Sequence, residues 1–172
     1  MALMTTKRFT ALILLVAAER ILELVVSQRN LRWSTARGGK EFGAGHYPVM
    51  VALHSALLVG SVVEARRRRP SPALGGSMTA VVLAAQALRW WCITTLGKQW
   101  NTRVVVVPGA TRVVDGPYRV LPHPNYLAVV TEGAALPLAG GAWITALVFT
   151  VANAALLRTR IRVENEALQG LT

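Results

Sequence analysis

Four groups of side chains in this sequence have the type and spacing to do chemistry. Arg89 stands beside two tryptophans in "QALRWWCITTLGKQWN". Its guanidinium could grip a carboxylate or enolate with two parallel hydrogen bonds, or it could snorkel beside an interfacial tryptophan belt. Arg160 and Glu164 stand four apart in "NAALLRTRIRVENEAL", with Asn153 seven residues earlier, so all three share one helical stripe. A surface ion pair and one wall of a site are both open there. Arg119, His123, three prolines and two tyrosines crowd into the start of "DGPYRVLPHPNYLAVVTEGAALPL" just where the chain turns apolar. Glu132 follows on the same helical face as Asn125, fit either for structural hydrogen bonding or for site chemistry. Glu19, Arg20 and Glu23 lie three and four apart and can partly neutralise one another within one helix.

The segments that must position these groups are apolar. Of 172 residues, 53% are hydrophobic and only 16% charged, and the apolar ones gather in long blocks. An all-α, polytopic integral membrane protein follows, with about five transmembrane helices. They run near residues 9–26, 47–63, 78–96, 125–139 and 142–161, the last two forming a C-terminal hairpin broken at Gly140-Gly141. Spanning the hydrocarbon takes about 20 helical residues, so the fourth is short. A charge near the bilayer centre costs about 2.5–3.5 kcal/mol, which makes Glu19, Arg20, Glu23, Arg89 and Glu132 informative. The first stretch mimics a signal peptide, but its charges and the lack of a small-residue cleavage site predict a retained helix. One domain, 1–172, is expected, with its catalytic part at about 86–172.

The net charge of +11 would suggest nucleic acid in a soluble protein. Here the basic residues lie mostly between apolar blocks, and no groove-reading motif is present, so nucleic acid is excluded as a partner. Eleven basic residues fall in loops 27–46 and 97–124 and the tail, against six on the opposite face, Lys7, Arg8 and the run Arg66 to Arg69. The positive-inside rule then turns the His123 face toward the cytoplasm, with the Arg66–Arg69 run as contrary evidence. Segment 97–124, rich in β-branched residues and broken by Pro and Gly, reads as extended or irregular and as a candidate site wall. His46, His54 and His123 have no zinc spacing, a single Cys92 allows no Cys-rich site, and so no metal is expected. No nucleotide-binding glycine fingerprint appears.

The set "GPYRVLPHPNY" followed by "RIRVENEAL" resembles the isoprenylcysteine carboxyl methyltransferase family, from about Arg89 onward. The family pattern is Gly-x-Tyr, Arg-His-Pro-x-Tyr, a membrane hairpin, then Arg and Glu four apart. The resemblance implies an integral membrane enzyme that uses S-adenosylmethionine without a Rossmann domain. It implies that Tyr118, His123, Pro124, Tyr126, Arg160 and Glu164 hold that cofactor and that Arg89 serves the acceptor. Pro122 stands where the family usually has Arg, and Arg119 is the nearby substitute. The N-terminal half is similar to a bacterial subgroup that methylates alkylpyrones made by type III polyketide synthases. The acceptor implied is a lipophilic small molecule with a carboxylate or acidic hydroxyl, drawn from the membrane lipid and already anionic, so that no general base is required. A partnership with a polyketide synthase is implied too. A membrane lipid or steroid-type reductase and a non-enzymatic membrane scaffold are the competing classes.

Overall fold

The structure, a computed structural model, describes residues 6–68 and 70–169. Five helices follow in order: α1 (Thr6–Thr35), α2 (His46–Ala65), α3 (Pro72–Leu96), α4 (Pro124–Ala139) and α5 (Trp143–Gln169). Sequence chemistry sets their ends. Ser71 caps α3 by accepting a hydrogen bond from the Leu74 amide (3.3 Å), and Pro72 occupies the first turn, where a missing N–H costs nothing. Pro124 starts α4 in the same way. Gly141, at φ +78°, takes a left-handed conformation that lets the chain reverse into α5.

Among the described residues, three helical stretches are each long and apolar enough to cross a membrane: His46–Ala65, Pro72–Gln99 and Trp143–Gln169. The other two expected crossings differ for physical reasons. Helix α1 extends over 30 residues, beyond the expected 9–26, but carries charges in its middle. Helix α4 has 16 residues, about 24 Å at 1.5 Å per residue. It is sheltered by α3 on one side and α5 on the other. The N-terminal half of α1 packs Phe9, Leu12, Ile13 and Val16 against Leu136, Ala139 and Val82.

Two ends of the bundle can be told apart. At one, a Cβ on Gly140 would meet the Phe9 ring at 2.4 Å, and one on Gly141 would lie 3.1 Å from the Pro70 nitrogen. Arg68 stacks over Trp143 there, 4.9 Å from the ring centre. Arg69, part of the basic run considered above, lies outside the described residues. At the other end, β1 (Lys40–Phe42) pairs antiparallel with β2 (Val104–Val106), Glu41 opposite Val105. This ribbon was not foreseen from the sequence, since strands of three residues leave no periodic signal. It ties segment 27–46 to segment 97–124, and Val104 and Val106 pack on Ala167 near the end of α5.

The 97–124 segment is irregular, as its composition predicts, and is pinned from both sides. Asn30 of α1 donates to the carbonyls of Gly97 (3.0 Å) and Trp100 (2.7 Å). Ser27 accepts from the Thr102 amide (3.1 Å), and Arg160 of α5 donates to the Thr102 carbonyl (2.9 Å). Because the ends of helices hold this loop, its side chains have fixed positions.

Candidate active site

Two cavities, each of about 180 Å³, share one wall. The first lies among all five helices. Its surface is mostly aliphatic, from Leu57, Leu58, Val129 and Leu157, but its inner end carries charge. There Arg20 and Glu23 of α1 meet Arg89 of α3 and Glu132 of α4. Arg20 Nη1 lies 2.5 Å from Glu23 Oε2, and Arg20 also bonds Glu132. Arg89 Nη2 lies 3.0 Å from Glu132 Oε2, and its Nε lies 3.5 Å from Glu23 Oε1. Each carboxylate therefore serves both guanidiniums, and the quartet carries no net charge. Buried charges persist only when paired in this way.

This arrangement corrects the expectation that Glu19, Arg20 and Glu23 neutralise themselves within α1. Only Arg20 and Glu23 do so. Glu19 instead accepts from Trp90 Nε1 (2.8 Å) and from Gln86, both on α3. Trp90 thereby becomes a strut between helices, while Trp91 faces outward at 54% exposure. Neither lines a cavity; the tryptophan that does is Trp100.

The second cavity lies at the ribbon end. Tyr118, His123, Tyr126, Arg160 and Glu164 all line it, although they come from three separate stretches of chain. Tyr126 donates to Glu164 Oε2 (2.5 Å), His123 Nδ1 lies 3.8 Å from Glu164 Oε1, and His123 Nε2 lies 3.1 Å from Asn165 Oδ1. Arg160 and Glu164 thus do not form the surface pair that spacing alone allows: Glu164 turns to α4 and Arg160 to the Thr102 carbonyl. Burial, with Cys92 beside it, pushes the Tyr118 phenol well above the usual range, so it stays a neutral hydroxyl. Pro124 is buried and lines neither cavity; its part is to start α4. Arg119 is exposed and lines neither, whereas Arg112 and Arg103 do line the second cavity beside Pro122.

Trp100, Asn101, Asn125, Tyr126 and Arg160 belong to both cavities and make the common wall. Four of them carry a buried polar atom with no hydrogen-bond partner: Trp100 Nε1, Asn101 Nδ2, Asn125 Oδ1 and Arg160 Nε. An unpaired buried group costs about 1–3 kcal/mol, so native proteins rarely keep one without a use. Four on one wall are the mark of a site that completes itself with a ligand. Sequence reading passed over Trp100, Asn101 and Arg112 as site residues, because single polar residues in an irregular loop carry no periodicity to single them out, and it used Asn125 only to place Glu132 on a helical face.

A profile of the Isoprenylcysteine carboxyl methyltransferase (ICMT) family matches residues 78–170, from α3 through the loop and the α4–α5 hairpin. The chain belongs to that family of membrane methyltransferases. It is also similar to the uncharacterized protein YpbQ of Bacillus subtilis (strain 168), 37% identical over 164 residues that cover 94% of this chain and 96% of the relative. No solved structure matches.

Proposed function

We propose that the chain is a single-domain, S-adenosylmethionine-dependent O-methyltransferase that modifies a lipophilic, weakly acidic acceptor at the wall between the two cavities. The observation that carries this reading is that wall. A polar cavity and an aliphatic one touch only where unsatisfied donors and acceptors converge. S-adenosylmethionine would supply an electrophilic methyl group on a sulfonium. The donor set suits it: Glu164 can accept from ribose or ammonium groups, Arg112 can pair with a carboxylate, and the Tyr126 ring can face the sulfonium. Tyr118 and His123 complete the enclosure, and Asn101 and Asn125 offer the amide groups an adenine edge needs.

The other cavity suits the acceptor. Leu24 of α1 and Val51 of α2 both line it, yet they are 40% and 41% exposed on the outer surface of the bundle. An alkyl chain can therefore enter sideways from the bilayer between α1 and α2, as an alkylpyrone-like or prenylcysteine-like molecule would. Arg89 sits at the inner end, where negative charge that develops on the acceptor oxygen would have to be met. Methyl transfer is an in-line displacement, so the chain's task is alignment of the reacting atoms. The basic residues of the ribbon end, where the polar cavity opens, favour a cytoplasmic orientation for it. An acceptor of this kind would come from a chain-extending synthase such as a polyketide synthase.

Calorimetric titration of detergent-purified protein tests the cofactor assignment. Glu164→Ala and His123→Ala should each weaken S-adenosylmethionine binding about ten- to a hundredfold, the loss of one charge-assisted hydrogen bond. Unchanged affinity in folded variants would return Glu164 to a purely structural role. Saturable binding of a nicotinamide dinucleotide instead would favour a reductase, and binding of neither would favour a scaffold.

A further inference from the structure

His54 lies outside the stretch that the family profile matches, on α2, and it lines the acceptor cavity. Its Nδ1 lies 2.9 Å from the Met50 carbonyl oxygen one turn earlier. A carbonyl can only accept, so Nδ1 carries the proton, and Nε2 on the far edge of the ring is left with a bare lone pair. The Phe149 ring stands edge-on to the imidazole at 5.2 Å and holds its plane. Among the described residues Nε2 has no hydrogen-bond partner.

The other polar groups facing this cavity are already committed or cannot take a proton. Glu132 of α4 is hydrogen-bonded to both Arg20 of α1 and Arg89 of α3, and Glu23 of α1 bonds Arg20 through Oε2 while its Oε1, without a hydrogen bond, is ion-paired with Arg89 Nε at 3.5 Å, so two guanidiniums oppose a proton on either carboxylate. Arginine has no lone pair to offer, which also disposes of Arg160 of α5. The Tyr126 hydroxyl of α4 is spent on Glu164. Asn153 of α5 keeps a buried, unpartnered Oδ1, which can orient a hydroxyl but is not a base. The quartet's zero net charge matters as well: the one further cation lining the cavity, Arg160, stands at the common wall with its Nη atoms on the Thr102 carbonyl and the Met50 sulfur, so an anion at the quartet finds no excess positive charge beside it to offset its desolvation.

Building on the function proposed above, and in place of the base-free transfer to an anion that the family resemblance implies, we infer that the acceptor enters with its O–H intact and that His54 Nε2 is the catalytic base that receives the proton. The acceptor O–H donates to Nε2. As an oxygen lone pair forms the new O–CH₃ bond, the S–CH₃ bond of the methyl donor breaks and its electrons remain on sulfur as a neutral thioether. The O–H proton passes to Nε2, and the imidazolium releases it to water once the ether has left. Charge balances: the sulfonium's positive charge ends as the proton.

The test uses the full chain in lipid nanodiscs with a long-chain alkyl hydroxypyrone as acceptor. The variants are His54→Asn, which can keep the donation to the Met50 carbonyl but has no second ring nitrogen, and His54→Gln, which places an amide near Nε2. With ¹⁵N-labelled histidine and no methyl donor present, adding the pyrone should move the Nε2 resonance of His54 and leave its Nδ1 resonance nearly still. His54→Asn should lower kcat about a hundredfold, as loss of a general base does, with S-adenosylmethionine affinity within twofold of wild type. The wild-type rate should fall as pH drops and the imidazole protonates, and that limb should vanish in both variants. A still Nε2 resonance on saturation with pyrone, or His54→Asn turnover within threefold of wild type with the acid limb intact, would overturn the inference. Wild-type protein that binds no methyl donor would instead remove the methyltransferase reading on which it rests.

Discussion

Glu132→Ala should destabilise the folded protein by about 3–5 kcal/mol, the largest stability effect expected of any single substitution here. Glu132 is 3% exposed and is the carboxylate that bridges α4 to both α1 and α3. Removing it leaves the half-buried Arg20 and the buried Arg89 sharing one carboxylate, and breaking a buried pair on one side costs far more than deleting both partners. Glu132→Gln keeps an acceptor oxygen and the side-chain volume but not the charge, and should fall between wild type and alanine. Thermal unfolding in detergent, followed by loss of helical circular dichroism, would measure the series. An alanine variant as stable as wild type would mean that water or lipid headgroups reach the quartet, and that it is not the dry joint the geometry describes.

Arg89→Ala should abolish most methyl transfer, by about 10²–10³ in kcat, while leaving S-adenosylmethionine affinity nearly unchanged. Arg89 lines the aliphatic cavity, the proposed acceptor site, and not the polar one. Its removal leaves Glu23 and Glu132 with a single cation, so the inner end of the cavity turns negative where negative charge develops on the acceptor oxygen. Lysine should rescue only partly. One ammonium cannot reach both Glu23 and Glu132 with the fixed fork by which guanidinium serves them at 3.5 and 3.0 Å. Single-turnover rates beside calorimetric affinities would separate the two effects. A folded Arg89→Ala protein with normal turnover would make Arg89 a structural ion-pair partner, leaving Arg20 as the guanidinium nearest the acceptor.

The sequence was legible where composition and periodicity act over long stretches. All five helices were visible as apolar blocks, and the reversal at Gly140-Gly141 was visible because glycine punctuates. The ends were less so: α1 and α5 run on well past their apolar cores, since polar residues at 27–35 and 162–169 find partners in the ribbon and the loop. Tyr118, His123, Tyr126, Arg160 and Glu164 could be singled out together through a family resemblance, and the fold gathers all five around one cavity. Arg119 and Arg112 show the limit of that approach. Proximity in sequence favoured Arg119, but the chain turns through Gly116–Arg119 as a short 3-10 helix that leaves Arg119 outside and brings Arg112 to the cavity. The pairing of Arg20 and Arg89 with Glu132 joins three helices, and nothing in the spacing within any one of them announces it. His54 stayed hidden because a lone histidine on an apolar helix carries no signal until its neighbours are known.

The most direct measurement of the central claim is methyl transfer itself by the purified protein. Given S-adenosylmethionine labelled in its methyl carbon and a long-chain alkyl hydroxypyrone in nanodiscs, the protein should place label in the organic phase as the methyl ether. One demethylated cofactor should form per ether. Arg89→Ala and Glu164→Ala should suppress that yield through different constants, kcat for the first and cofactor KM for the second. The absence of labelled methyl ether from an alkyl hydroxypyrone and of labelled methyl ester from a prenylcysteine, in protein that fails to bind the cofactor, would contradict the account.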